Sequence, residues 1–465
     1  MERLRTLFGI WADEPCVECL ALGGGGSSRR YYRLRGATRC CIGTIGDNVR
    51  ENEAFFSFTN HLRAKGMPVP EVYLIDQDRC HYLQQDLGDQ SLYGLLYSKK
   101  QQGGGFDSEM LHLYKQALAD LDRLQKAGRD LDFSVGFPRA AFDRRAMLWD
   151  LNYFKYYYLK LAYIPFDEDL LQDDFEHFVD LLHEADCSYF VYRDFQGRNI
   201  MLGDKLYYID YQGGRQGAAQ YDVASILYSA KSDLSEPIRA ELLQHYVSLH
   251  GDPDFMHYYW CYVLMRIMQT LGAYGYRGLY ERKPYFLESI PLAVANLRTV
   301  VENHPLPCAF PELERVWHAI AANSATSQPQ SDKLTVVVQS FSYKQGLPVD
   351  PSGNGGGHIF DCRALPNPGR YAEYKSYTGK DRPVIDFLKK EDSVSQFLDN
   401  VEAIVAQSVD KYLERHFTNL SVAFGCTGGQ HRSVYCAEHL AKHLSGKFDV
   451  KITITHRELD IEKIM

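Results

Sequence analysis

From Ala322 to Asp332 the chain reads Ala-Asn-Ser-Ala-Thr-Ser-Gln-Pro-Gln-Ser-Asp, with no charge before the last residue and no Val, Leu, Ile, Met or aromatic residue. A stretch with so little to bury reads as a flexible linker. The 465 residues must therefore build separate cores on either side of it. At about 150 residues per domain, both sides are long enough to do so. This predicts a first domain over 1–321, a linker over 322–332 and a second domain over 333–465. A β-branched strand, Leu334-Thr335-Val336-Val337-Val338, opens the second domain.

Charge is uneven across this boundary. From Lys333 onward there are 17 Lys and Arg against 16 Asp and Glu, so of the net charge of −9 the remainder carries −10. The first part is a poor partner for nucleic acid and the second is neutral rather than basic. Every apolar run is broken by a charge before the ~18 residues of a membrane span. Met1-Glu2-Arg3-Leu4-Arg5 lacks the apolar core of a signal peptide. Eleven cysteines in so long a chain, with Cys40 and Cys41 adjacent, do not form a disulfide framework. Cys16-x-x-Cys19 has no second pair at zinc spacing. The expectation is a cytoplasmic protein without a membrane anchor.

The first ~90 residues look strand-rich: Tyr31–Leu34 and Cys40–Ile45 flank a short turn, and a helix is predicted over 49–65. Beyond Asp107 the pattern is helical. Leu111, Tyr114, Ala117, Leu118, Leu121 and Leu124 recur at three- and four-residue spacing, and further helices are predicted over 142–161, 175–185 and 238–250. The aromatic run Tyr153–Tyr158 fits helix packing better than a stacking platform.

Within this helical region lies Tyr192-Arg193-Asp194-Phe195-Gln196-Gly197-Arg198-Asn199, and after a short hairpin Ile209-Asp210-Tyr211-Gln212. Asp194 precedes Asn199 by five residues, the spacing of a kinase catalytic loop, and Asp210 ends a strand where a second metal-binding carboxylate is needed. Phosphoryl transfer requires this set: one base and two oxygen ligands for a hard cation. The segments resemble the aminoglycoside/choline phosphotransferase family over about residues 1–320, and most of all its anomeric kinases of N-acetylmuramate and N-acetylglucosamine. Gln85-Asp86-Leu87-Gly88-Asp89 fits that family's hinge, and Gln220–Ser225 its segment after the metal Asp.

The resemblance implies a bilobal α+β protein-kinase-like domain that uses ATP and Mg²⁺ on an amino-sugar hydroxyl. Asp194 would be the catalytic base, Asn199 and Asp210 the metal ligands, and the backbone near Gln85 and Leu87 the adenine contact. Gly24, Gly25, Gly26, Ser27, Ser28 and Arg30 lie where a phosphate loop belongs, since glycine backbone can approach phosphate closely. One departure is plain: the strand Arg39–Ile45 has no Lys to pair with the phosphates, although Glu53 is well placed as its helix partner. Either Arg29, Arg30 or Arg50 supplies the charge, or phosphate binding is weaker. A regulatory protein that binds nucleotide without turnover is the alternative.

The second domain carries Gly357-His358-Ile359-Phe360-Asp361-Cys362-Arg363, Tyr377-Thr378-Gly379-Lys380-Asp381, and Gly425-Cys426-Thr427-Gly428-Gly429-Gln430-His431-Arg432-Ser433. The last lies between a buried-strand pattern and a helix, which predicts a smaller α/β domain with a strand–phosphate loop–helix anion site. His358, Asp361, Arg363, Cys426, Thr427, Gly428, Gly429, His431, Arg432 and Ser433 are its candidate residues. The three segments resemble the C-terminal domain of the RNase adapter protein family. That resemblance implies a phosphorylated-sugar effector, RNA binding and assembly into oligomers, the RNA role being unsupported by the near-neutral charge. Cys426 to Ser433 also satisfies C-x-x-G-x-x-R-S, the phosphate loop of cysteine phosphatases, a weaker alternative because it rests on one segment.

Overall fold

A computed structural model describes residues 1–23, 29–323, 333–348, 357–415 and 417–464. It divides into two compact units, Met1–Ala325 and Thr326–Met465. Gly24 to Ser28 and most of the expected linker fall outside the described residues.

The first unit begins with helix α1 (Glu2–Ala12) and five strands: β1 (Glu18–Ala21), β2 (Arg30–Arg35), β3 (Cys40–Ile45), β4 (Val72–Ile75) and β5 (His81–Gln84). They form one antiparallel sheet in the order β1-β2-β3-β5-β4. The β2–β3 turn is fixed from outside: Glu14 accepts from the backbone N–H groups of Ala37, Thr38 and Arg39 at 2.8–3.1 Å. Leu4, Leu7 and Phe8 of α1 close a small core with Leu34, Cys41 and Leu83. Helix α2 (Val49–Ala64) lies between β3 and β4 in sequence, its first turn capped by the Asn48 side chain. As expected, the fold then becomes helical, with α3 (Leu92–Gln101), α4 (Ser108–Ala127), α5 (Arg144–Phe154) and α6 (Glu168–Leu182). Met110, Tyr114, Ala117, Leu118, Leu121 and Leu124 form the buried stripe of α4.

Four short strands follow, β6 (Tyr189–Val191), β7 (Ile200–Leu202), β8 (Leu206–Tyr208) and β9 (Arg215–Gly217), pairing as β6–β9 and β7–β8. Six helices close the unit: α7 (Gln220–Leu227), α8 (Glu236–His250), α9 (Phe255–Tyr274), α10 (Pro284–Leu287), α11 (Ile290–Asn303) and α12 (Pro311–Asn323). Three boundaries differ from the sequence reading. Helix α6 starts at Glu168, because Asp167 caps it by accepting from the N–H groups of Asp169 and Leu170. The helix expected over 142–161 changes to a π-turn at Lys155–Leu159. Helix α12 continues through Asn323, two residues into the expected linker.

The second unit is a five-stranded sheet in the order β11-β12-β10-β13-β14, with β10 (Thr335–Ser342), β11 (Gly357–Asp361), β12 (Asn419–Cys426) and β13 (Lys451–His456) parallel and β14 (Ile461–Ile464) antiparallel at one edge. Helices α13 (Arg382–Lys389), α14 (Asp392–Glu414) and α15 (Arg432–Lys447) complete it. Val336, Val338, Val422, Phe424, Ile452 and Ile454 share its core with Val401, Val405, Leu440 and Leu444. Between them sit half-buried Thr335, Val337, Gln339, Thr453 and Thr455, the alternation of a sheet with one face in the core. Leu440→Ala should therefore cost about 2–5 kcal/mol, read as a lower urea midpoint of the full chain; an unchanged midpoint would remove Leu440 from this core.

Candidate functional site

The loop between β6 and β7 is anchored from below. Asp222, fully buried on α7, accepts from the backbone N–H groups of Tyr192 at 2.6 Å and Arg193 at 2.9 Å. Burial pushes its carboxyl up to about 7 in spite of these two bonds. Arg193, held at a φ of 78°, sends its guanidinium to Asp150 at 2.8 Å and across the rings of Phe142 and Tyr221. The next side chain, Asp194, opens to the cleft with 47% of its surface accessible.

Asp194 meets Arg266 of α9, whose guanidinium donates to Oδ1 at 3.2 Å and is itself nearly buried. Burial alone would raise the Asp194 pKa. Arg266, Arg198 and Arg193 outweigh it and hold the carboxyl below its ordinary value. Asn199 Nδ2 donates to the Asp194 carbonyl at 2.9 Å and to Asp210 Oδ2 at 3.4 Å, and Gln212 donates to Asp210 Oδ1 at 2.7 Å. The structure thus brings Asp194, Asn199 and Asp210 together. Burial raises the Asp210 pKa, and the negative charge of Asp194 adds to this. Two carboxylates and an amide oxygen, with one carboxylate destabilised by the other, are a donor set that suits a hard divalent cation.

Strand β3 has no Lys, and among the three candidate cations Arg29 is the one whose charge acts on Asp210. It precedes β2, is 4% exposed, lies 3.5 Å from Glu51 and 3.4 Å from Asn52 Oδ1 on α2, and interacts with Tyr31. Arg30 instead pairs with Asp47 in solvent, and Arg50 lies over Phe137. The expectation for Glu53 is corrected. Its carboxylate is taken by Arg79 at 2.6 Å, because it projects from α2 toward the β4–β5 turn, and Glu51 occupies the place beside Arg29. Gln85 and Leu87 lie on the connection from β5 to α3, where the Gln85 N–H donates to the Glu71 carbonyl at 2.8 Å. Arg33 of β2 fixes this connection with a double fork, to Asp86 at 2.6 and 3.0 Å and to Asp89 at 2.8 and 2.9 Å.

Arg266 was not singled out by its sequence, although a signal existed. It is the only Lys, Arg, Asp or Glu between Phe255 and Tyr274, and a lone buried cation in an apolar helix must be paired. Arg33 and the positioning role of Asp222 carried no comparable signal, since their partners are far away in sequence.

In the second unit, β12, the turn after it and α15 form the expected strand–loop–helix. Cys426 is buried, its Sγ accepting from the Gly429 N–H at 3.2 Å and lying 3.2 Å from Ser433 Oγ. Thr427 and Gly428 form the exposed rim, and Ser342 donates to the Thr427 carbonyl at 2.7 Å. Gly379 must be glycine: a Cβ there would lie 2.2 Å from the His431 carbonyl, and its N–H donates to the Gln430 carbonyl at 2.8 Å. The second segment is thereby docked on the loop. His431 is held by the Tyr374 carbonyl at 3.1 Å. Asp361 and Arg363 pair with each other at 2.7 Å at the end of β11, beside Gly425 in the register.

Two expectations for this pocket change. His358 projects to the opposite face of β11 from Asp361 and meets Ser408 of α14 at 2.8 Å, so it does not complete the pocket. Arg432 is 5% exposed and donates to the carbonyls of Arg363 at 2.8 Å and Leu365 at 2.9 Å. It supports the loop through neighbouring backbone. A cysteine phosphatase needs an accessible thiolate with this arginine turned to the phosphate, and neither condition holds here.

Residues 18–259 match the model of the phosphotransferase enzyme family, and residues 334–460 match the RapZ C-terminal domain. The first match covers more than half of the sequence, and the chain belongs to the phosphotransferase enzyme family. Its first unit is a kinase-like phosphotransferase domain of the kind that uses a hydroxyl acceptor. A nucleotide-binding protein of Acinetobacter baylyi is 38% identical over 130 residues, 28% of this chain and 44% of that protein. Another from Fervidobacterium nodosum is 39% identical over 135 residues, 29% and 46%. The chain thus spans less than half the length of these curated relatives. Solved structures similar to it include choline kinases from Cryptosporidium parvum (10% identity, TM-score 0.45, 64% of this chain and 92% of that one) and Streptococcus pneumoniae (13%, 0.44, 64% and 100%).

If Arg266 keeps Asp194 ionised, Arg266→Gln raises the Asp194 pKa and moves the acid limb of the kcat/KM profile to higher pH. An acid limb that stays in place would remove Arg266 from this role. In the second unit, Cys426→Ser should leave binding of inorganic phosphate intact, since the thiol faces inward; calorimetry that shows binding lost would restore the thiol as a ligand.

Proposed function

We propose that the chain is an ATP- and Mg²⁺-dependent kinase acting on a hydroxyl of a cell-wall amino sugar of the N-acetylmuramate or N-acetylglucosamine type. Its second domain, over 333–465, would bind a phosphorylated sugar as effector and support an oligomer. The observation that carries the kinase reading is the pairing of Asp194 with buried Arg266, with Asn199 bonded to both the Asp194 carbonyl and Asp210. In this reading Asp194 orients the acceptor hydroxyl and takes its proton as the phosphoryl group leaves ATP. Asn199 and Asp210 would hold the metal, which when bound neutralises charge on the transferring phosphate. Arg29 takes the place of the strand lysine, and Glu51 keeps it oriented. The backbone at Gln85 and Leu87, braced by Arg33, would receive the adenine, and the glycine-rich Gly24 to Ser28 with Arg30 would contact the phosphates, Gly24 to Ser28 being read from the sequence alone.

The sugar is inferred from the pairing of two domains whose resemblances both lead to amino-sugar metabolism. Against nucleotide binding without turnover stands buried Arg29, a cation whose charge acts on Asp210. RNA finds little support in a domain with balanced charge. No helix among the described residues is long and apolar enough to cross a membrane, and we place the protein in the cytoplasm.

Asp194→Asn should lower turnover by about 10²-fold or more while leaving the fold intact, as removal of a general base does. Near-normal turnover on an accepted substrate would sink the assignment. Asp210→Ala should abolish the Mg²⁺ dependence of ATP binding, which titration with and without the metal would read.

A further inference from the structure

Helix α15 carries two imidazoles four residues apart, His439 and His443, which therefore lie on one face. Both meet the side chain of Glu402 on α14. His439 Nδ1 lies 3.0 Å from one carboxylate oxygen and His443 Nδ1 2.9 Å from the other. The Glu402 side chain is 14% exposed, and among the described residues no Lys or Arg pairs with it. Three polar atoms of this group, Glu402 Oε1, His439 Nδ1 and His443 Nε2, are buried without a hydrogen-bond partner. The approach of His439 to Glu402 is therefore close but not aligned as a hydrogen bond. Buried polar atoms in folded proteins nearly always have a partner, so three orphans in one place call for a group from outside the chain.

The donors narrow what that group is. The carboxylate repels an anion. Two imidazoles and one carboxylate suit a borderline divalent ion such as Zn²⁺, whereas Mg²⁺ and Ca²⁺ take oxygen ligands. Donors of one tetrahedral zinc shell lie roughly 3.3 Å apart, close to the spacing between Glu402 and each ring. We propose that Glu402, His439 and His443 form a transition-metal site that takes Zn²⁺ and ties α14 to α15. Each ring now rests on its own carboxylate oxygen, so closure on one ion takes a turn of the His443 ring, whose Nε2 has no hydrogen bond to lose. Three protein ligands leave a fourth position for water, and the partly exposed rings leave the ion a path from solvent. A second acid–imidazole group, Asp76, Asp78 and His81 around the β4–β5 turn, does not qualify. Arg3 pairs with Asp76 and lies 3.0 Å from Asp78, so a cation is already in place there.

The test uses the full chain, stripped of metal by a chelator, with Mg²⁺ in excess and Zn²⁺ as the probe. Thiols elsewhere in the chain also take Zn²⁺, so the reading is the difference between the unaltered chain and its variants. Calorimetry should count about one ion more for the unaltered chain than for His443→Ala. His439→Ala and Glu402→Gln should lose the same ion, and His81→Ala should keep it. Zn²⁺ should also raise the urea midpoint of the unaltered chain relative to that of His443→Ala, since an ion bound by the folded state stabilises it. Circular dichroism without metal should be the same for all these chains. Should His443→Ala change the spectrum, His443→Gln, which keeps a hydrogen-bonding group, takes its place. Equal ion counts in the unaltered chain and in the Glu402, His439 and His443 variants would overturn the inference, as would loss of the ion in His81→Ala alone or midpoints that Zn²⁺ shifts equally.

Discussion

Asp222 is a carboxylate with no access to water, and the site of the first unit is built on it. A buried acid is unfavourable unless it is hydrogen-bonded. Here the bonds come from two consecutive backbone N–H groups, those of Tyr192 and Arg193, just before Asp194. They turn the chain so that Arg193 takes a positive φ and points to Asp150, while Asp194 points the other way, to the cleft and Arg266. Burial of one side chain thereby fixes the direction of the next two.

The same economy recurs in the second unit with the sign reversed. Arg432 is a buried cation, and its donors meet the carbonyls of Arg363 and Leu365. It ties the end of β11 to the start of α15, and Gly379 brings the second segment within backbone contact of the loop. Asp361 at the end of β11 and the loop after β12 then lie at the carboxyl ends of neighbouring parallel strands. In both units a charge that sequence reasoning would send to a ligand, or leave unassigned, is used to hold backbone.

This division explains which residues could be read in advance. Asp194, Asn199 and Asp210 lie close in sequence on one hairpin, so their spacing alone brings them together. The α4 stripe and the strand–loop–helix around Cys426 are equally local, being set by side-chain periodicity and a glycine-rich turn. Glu53 failed because α2 carries two acids, Glu51 and Glu53, and only packing decides which one faces the sheet. His358 failed because one residue of strand parity separates the two faces of β11, and each face carries an apolar residue, Phe360 beside His358 and Ile359 beside Asp361, so the pattern does not say which face is covered.

By itself, then, the sequence determined two cores, a hairpin that carries Asp194, Asn199 and Asp210, and a strand–loop–helix around Cys426, because each of the last two depends on residues within about twenty positions of one another. Tertiary structure alone decided which long-range partner each charge would meet. Arg266 reaches Asp194 across 72 residues, Arg33 reaches Asp86 across 53, and Arg432 reaches Arg363 across 69. Such pairings follow from which faces are buried together, and a buried charge takes whichever partner packing brings within hydrogen-bond distance.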